Sequence, residues 1–215
     1  MIDNTKWNTY EFAREVVDGE FRSKIRSSSK SQGAISNQLD FVEPLDIRDF
    51  QASVTPVVFQ NNEGVNVAGS LQGFFFNDGT AGGGPDNYLG EVGAGIFIGG
   101  NEATPEAYWS VWRFPDVTNQ NPKILAIGTF KTPITLGETY DLFLGWNEKA
   151  RKFTFKSRNE AVEHYRPVGT IYPSNRPWKT LRTWIWNLTH GQEATIDFRF
   201  DGVKVNYDPK LGKTK

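Results

Sequence analysis

Apolar and polar residues alternate with period 2 along most of the chain, the period that sends successive side chains to opposite faces of a strand. Phe21, Ser23 and Ile25 fall on one face, and Arg22, Lys24 and Arg26 on the other. Further runs are Ile35, Leu39 and Phe41; Phe50, Ala52, Val54 and Val58; Val67, Gly69, Leu71, Gly73 and Phe75; and Val92, Ala94, Ile96 and Ile98. Tyr108, Ser110, Trp112 and Phe114 alternate with Trp109, Val111 and Arg113. Segments 124–130, 139–146, 152–156, 181–188 and 194–205 complete the series. Pro56 has no N–H to give to a ladder, so its run is expected at a sheet edge or at a bulge.

Turn residues fall between these runs. Asp18-Gly19, Asn77-Asp78-Gly79, Gly99-Gly100-Asn101 and Leu136-Gly137-Glu138 punctuate them, and the polar stretch after Trp146 reads as a hairpin connection. Residues 159–165 can form one helical turn; no longer segment has the helical period. Strands spaced by about 8–12 residues predict an all-β sandwich or barrel. Residues 80–87 are too rich in glycine to pack a core and are expected to be a surface loop. The whole is read as one β-sandwich domain over residues 10–207, with 1–9 and 208–215 as extensions.

Composition narrows the chemistry. The 30 aromatic residues (16 Phe, 7 Trp, 7 Tyr) among 215 fit a strand-rich fold. Lys and Arg (24) nearly balance Asp and Glu (25), so no overall cationic field gathers nucleic acid or anionic lipid. The chain has no Cys and 2 His, which removes disulfides, thiol nucleophiles and multi-histidine metal sites. No apolar run is long enough for a transmembrane helix. Residues 1–8 lack the apolar core of a secretory signal. The chain is therefore read as cytosolic or, preferentially, as a piece of a larger secreted or surface protein, and as a monomer.

The order of strands carries a resemblance. The segments Ala13-Arg14-Glu15-Val16-Val17-Asp18-Gly19-Glu20-Phe21-Arg22, Phe50-Gln51-Ala52-Ser53-Val54-Thr55, Gly69-Ser70-Leu71-Gln72-Gly73-Phe74-Phe75-Phe76-Asn77-Asp78-Gly79, Gly90-Glu91-Val92-Gly93-Ala94-Gly95-Ile96, Leu136-Gly137-Glu138-Thr139-Tyr140-Asp141-Leu142 and Ala194-Thr195-Ile196-Asp197-Phe198-Arg199-Phe200 resemble, in sequence order, bacterial LamG-like surface domains of the concanavalin A-like lectin/glucanase superfamily. The resemblance covers residues 12–206 and implies a jelly-roll β-sandwich of two large antiparallel sheets. It does not choose among lectins, hydrolases, lyases and adhesion modules.

Candidate residues are weighed against that background. The hydrolase branch places carboxylates two apart on one strand face, and no such triplet occurs; Glu15, Asp18 and Glu20 straddle a turn, and Glu160 and Glu163 are three apart. A lyase needs a cation and a base, and Arg22, Lys24 and Arg26 form a basic stripe. Cross-strand pairing with Asp197 and Asp201 of the last strand is the preferred account of that stripe. His164 and His190 stand far apart in sequence. Asn77, Asp78 and Asp86, with Asn87, supply hard oxygen donors around the glycine loop, which makes calcium a candidate there, although Asn77-Asp78-Gly79 also reads as an ordinary turn without EF-hand spacing; no cofactor is implied.

The aromatic residues are the strongest lead, because sugar C–H faces stack on Trp and Tyr beside hydrogen-bonding groups. Trp184 and Trp186 share a face with Arg182, opposite Leu181 and Ile185. Trp109 and Trp112 lie on opposite faces, so only one of them can be outward. The expected carbohydrate site is Trp184, Trp186, Arg182, Trp178 and Trp109, with a polysaccharide or glycoconjugate as partner and a protein partner or an enzymatic role as alternatives.

Overall fold

The computed structural model describes residues 10–29, 33–80, 87–117, 122–165, 169–189, 191–208 and 213–214. Thirteen strands build its two sheets: β1 (Tyr10–Val17), β2 (Glu20–Ser29), β3 (Gly33–Asp40), β4 (Asp49–Asn61), β5 (Asn66–Asn77), β6 (Glu91–Gly100), β7 (Glu106–Arg113), β8 (Lys123–Thr129), β9 (Tyr140–Asn147), β10 (Lys152–Ser157), β11 (Glu160–His164), β12 (Trp178–Leu188) and β13 (Gln192–Val205). The seven-stranded sheet runs β1-β2-β13-β4-β9-β10-β11, and the six-stranded sheet β3-β12-β5-β6-β7-β8. Every pairing is antiparallel. From β2 to β5 the chain alternates between the sheets, and late in the sequence β12 enters between β3 and β5 while β13 enters between β2 and β4. This interleaved winding is of the jelly-roll type, the architecture that the strand pattern and the resemblance imply.

The core lies between the sheets and takes one face of each strand. Leu71, Ile96, Val111, Leu181 and Ile185 of the six-stranded sheet meet Phe21, Ile25, Leu142, Phe153, Phe198 and Phe200 of the other. Gly69 is a contact point: a Cβ there would lie 2.4 Å from the Phe198 ring, so only a bare backbone admits that ring. The buried Ser23 and Thr183 hydroxyls hydrogen-bond to each other across the sandwich, which satisfies two polar groups that would otherwise be stranded in apolar surroundings.

The turns behave as their residues require. Asp18 (φ 52°) and Gly19 (φ 84°) form the two-residue connection of the β1–β2 hairpin. Pro56 is not on an edge, because β4 lies between β13 and β9. It sits at a bulge: pairing steps from Asp197–Val58 to Phe198–Pro56, and the β9 ladder ends at Val54. The helical turn expected at 159–165 is instead β11, paired with β10 through a turn in which Arg158 takes φ 50°. Local propensity there yields to the open backbone groups of β10, which β11 satisfies.

The basic stripe is structural in its surroundings. Lys24 lies opposite Asp197 on β13. Arg22 bonds Glu20 at 2.5 Å and reaches Glu15 at 3.6 Å. Asp201 lies opposite Ser53 rather than against β2, and caps the Gly202 N–H at 2.6 Å. Desolvation raises the Asp197 carboxyl above its ordinary value, against the pull of Arg199, Lys24 and Arg22.

One buried cation fixes a loop to the six-stranded sheet. Lys179 Nζ donates to the Phe74 carbonyl and, at 3.3 Å, to the Pro44 carbonyl, and lies 4.3 Å from the Phe75 ring centre. Burial depresses its pKa to about 7 from 10.5, partly opposed by Glu91. Between those values the unfolded chain binds more protons than the folded one, so stability rises with pH across that window. From pH 7 to pH 9 the wild type is expected to gain about 2 kcal/mol by urea denaturation. Lys179→Met is expected to lose this pH dependence, and an unchanged slope in the variant would assign the effect elsewhere.

Candidate functional site

The six-stranded sheet has a second apolar face, and among the described residues no sheet covers it. Along β12 the inward residues are Leu181, Thr183 and Ile185, so Arg182, Trp184 and Trp186 point outward. Register carries the outward face across the sheet. Arg182 lies opposite Ser70, Ser70 opposite Phe97, and Phe97 opposite Tyr108. A parallel row runs Trp178, Phe74, Gly93, Trp112 and Ile124. Between them lie Thr180, Gln72, Gly95, Ser110 and Ile127. The result is a groove of about 770 Å³ in which nine lining side chains are aromatic.

Glycines on β6 set its depth. A Cβ on Gly93 would lie 2.4 Å from Trp112, and one on Gly95 2.3 Å from Phe97, so both rings lie down on bare backbone. Phe97 stacks on Tyr108 at 4.7 Å and meets Trp184 edge-on at 5.4 Å. Phe74 meets Phe114, Tyr88 and Trp178 at 5.4–5.9 Å. This outer cluster, Phe74, Phe97, Trp112 and Phe114 with Tyr88, Tyr108, Trp178 and Trp184 around them, is separate from the core between the sheets. Burial pushes the Tyr108 hydroxyl far above its ordinary pKa, so it stays protonated.

Polar groups interrupt the rings. Gln72 donates to Ser70 Oγ at 3.2 Å, and Ser70 Oγ donates to the Arg182 carbonyl at 3.1 Å. Arg182 donates from Nη2 to Ser36 Oγ at 3.1 Å, and its guanidinium lies 5.8 Å from the Trp184 ring centre. Burial lowers the Arg182 pKa, partly offset by Asp40. Two polar atoms on the groove wall, Arg182 Nε and Asn66 Oδ1, are buried without a hydrogen-bond partner. Glu91, fully buried, receives Asn77 Nδ2 at 2.9 Å, Ser174 Oγ at 2.5 Å and the Asn175 N–H at 2.9 Å. It thereby fixes the segment that delivers Asn175, Arg176 and Trp178 to the rim. Arg176 lies over Tyr88 at 4.2 Å, and Trp178 Nε1 donates to Asp40 at 2.9 Å.

Trp184, Trp186, Arg182 and Trp178 thus share the groove, with Trp186 half exposed. Trp109 does not. It is 5% exposed in the core, stacked on Phe155 at 4.9 Å, and a Cβ on Gly128 beside it would touch its ring. Trp112 takes the outward place expected for Trp109. The alternation on β7 separates the two rings, and the packing of the second sheet decides which of them is inside. Phe74, Phe97, Tyr108, Phe114 and Tyr88 escaped the sequence reading. The signal for Phe97 was present: Gly93, Gly95, Phe97 and Gly99 share one parity on a strand whose other parity is wholly apolar.

The calcium residues are committed internally. Asn77 is fully buried, donates to Leu89 O and Glu91, and accepts the Gly79 N–H at 2.9 Å. Asp78 pairs with Arg113 and accepts two bonds from Thr80. Desolvation opposes ionisation of Asp78, but the Thr80 and Arg113 bonds win and its pKa is lowered. Asp86 and His190 lie outside the described residues. Among the described residues no three His, Cys, Asp or Glu converge as a metal site. His164 packs edge-on against Trp109 at 5.1 Å, and Glu160 accepts bonds from the Thr132 hydroxyl and from the Lys131 and Thr132 N–H groups, which hold its carboxyl low.

No protein-family model matches this chain. No curated protein matches it either. Among solved structures, it is similar to the carbohydrate binding module CBM66 from Bacillus subtilis, at 14% identity and a TM-score of 0.41 over 90% of this chain and 92% of that one. The metal-free Emp46p carbohydrate recognition domain matches at 12% identity and 0.41 over 94% and 92%. A legume lectin-like domain from Entamoeba histolytica matches at 10% and 0.40 over 92% and 91%. Likeness at this level assigns neither family nor ligand, so the groove has to be read from its own chemistry.

A larger depression, about 1100 Å³, lies beside Arg48, Asp49, Phe143 and Lys149, but only Phe143 and Trp146 of its lining are aromatic. It offers no platform comparable to the groove. The glycine floor makes the groove testable: Gly93→Ala is expected to lift Trp112, change the near-ultraviolet circular dichroism and cost about 1–3 kcal/mol by overpacking. An unchanged spectrum and stability would mean that the ring does not rest on Gly93.

Proposed function

We propose that the groove binds a saccharide chain without cleaving it, as the ligand site of a carbohydrate-binding module within a larger secreted or surface protein. The observation that carries this reading is the aromatic lining of an open sheet face interrupted by amides, hydroxyls and a guanidinium. Rings of this kind stack on the C–H faces of sugars, and the polar groups between them take the hydroxyls. Trp186, 52% exposed, is the most accessible of these platforms.

The absence of cleavage is argued from the lining. Glycoside hydrolysis uses two carboxyl groups about 5–9.5 Å apart across the bond, and among the described residues no Asp or Glu lines the groove. Asp40, close by, already accepts bonds from Trp178 and from Gln38 at 2.9 Å. A second reading, a protein partner, is favoured by Ile124 and Ile127, which are 52% and 63% exposed on the far wall.

Affinity electrophoresis through gels containing different polysaccharides tests the proposal. Retardation is expected in at least one gel, and Trp186→Ala is expected to abolish it while leaving the melting temperature within a few degrees, because so exposed a ring adds little to the core. Loss of retardation in EDTA would add a calcium requirement. Migration unchanged in every gel, for wild type and variant alike, would reject the saccharide reading and favour a protein ligand.

A further inference from the structure

We propose that the saccharide is acidic, and that Arg182 holds its oxyanion, a carboxylate or a sulfate ester, at the β12 wall of the groove. This rests on the saccharide reading above. It begins from an unusual placement: a cation on the outer face of a penultimate strand, on the same parity as Trp184 and Trp186, with no carboxylate directly opposite it on either neighbouring strand. Its cross-strand neighbours are Gln38 on β3 and Ser70 on β5. A structural arginine in a sheet face ordinarily meets a carboxylate on the adjacent strand, as Lys24 meets Asp197 on the opposite sheet.

The guanidinium has five N–H donors, and Arg182 spends one of them, on Ser36 Oγ at 3.1 Å. Its Nε is buried with no partner. No carboxylate lies within ion-pair distance of it among the described residues. Asp40, the acidic group whose field it feels, is two residues from Gln38 along β3 and is bonded to Trp178 Nε1 and Gln38 Nε2. A partly buried cation with unused donors is costly unless a ligand completes it. A planar carboxylate or a sulfate is the partner whose geometry a guanidinium fork fits.

The surroundings select a saccharide oxyanion over a bare ion. Trp184 lies beside the guanidinium, and Trp186 continues the aromatic surface on the same strand. An acidic sugar supplies both complements at once: an oxyanion for Arg182 and a C–H face for the indoles. The missing carboxylates in the groove lining add a further preference, because an acidic polymer meets no like charge there.

Titration calorimetry with four soluble polymers tests this: polygalacturonate, the same polymer after carboxyl reduction, a sulfated galactan and a neutral β-glucan. The wild type is expected to bind one of the two acidic polymers at least tenfold more tightly than either neutral one. That affinity is expected to weaken severalfold between 50 and 500 mM NaCl. Polygalacturonate and the sulfated galactan separate carboxylate from sulfate as the group held. Arg182→Gln is expected to remove at least tenfold of the affinity for the acidic polymer and to abolish the salt dependence; the salt titration on the wild type stands even if the variant fails to fold. Equal binding of acidic and neutral polymers, insensitive to salt, would overturn the role of Arg182 and leave the saccharide reading intact. Binding to none of the four, with retardation also absent for every polysaccharide gel, would overturn both.

Discussion

A sheet that is apolar on both faces needs two covers, and the six-stranded sheet of this protein has one. Its inner face is closed by the seven-stranded sheet, with Phe198 seated on Gly69. Its outer face closes on itself: the rings of Phe97 and Trp112 lie flat on Gly95 and Gly93, and Phe74, Phe114 and Tyr88 pack beside them. The groove is the part of that face which self-coverage leaves open. Its existence follows from placing side chains of both parities in β5, β6 and β7 that water does not favour.

The same arrangement explains how distant elements come to serve one site. The strands that carry Trp184 and Trp112 are far apart in sequence, and the interleaved winding puts them on one sheet with β5 and β6 between. The rim is positioned indirectly. Buried Glu91, at the start of β6, receives donors from β5 and from residues 174 and 175. A buried carboxyl group needs hydrogen-bond partners, so the bonds from Ser174 and Asn175 tie the loop leading into Trp178 to the sheet.

Much of this was legible in the chain. Period 2 located the strands of both sheets other than β1 and β11, because one face of each is buried and alternation is then enforced. It also placed Arg182, Trp184 and Trp186 together, since Leu181 and Ile185 had to be inside. Parity fails where both faces are apolar: on β7 it separated Trp109 from Trp112 and could not say which faced the second sheet. It also missed Phe97, whose role depends on the empty positions at Gly93 and Gly95 rather than on any motif. Residues 159–165 were misread because helix tolerance is local, whereas the hydrogen bonds offered by β10 are not. Asn77 and Asp78 looked like ligand donors because their types suit calcium; their oxygens are taken by Gly79, Thr80 and Arg113, partners that spacing alone does not reveal.

The two walls of the groove differ mechanically. Trp184 and Arg182 stand on β12, which is bonded on both sides, to β3 and β5. Ile124 and Ile127 stand on β8, the outermost strand, which among the described residues is paired with β7 alone. An edge strand with exposed apolar residues opens at far lower free energy than one held from both sides. Under the proposed function, recognition would reside on the strand held from both sides, and the facing edge strand would be the one to yield. Ligands of different girth can be admitted by fraying β8 while the register of the tryptophans and the arginine is kept.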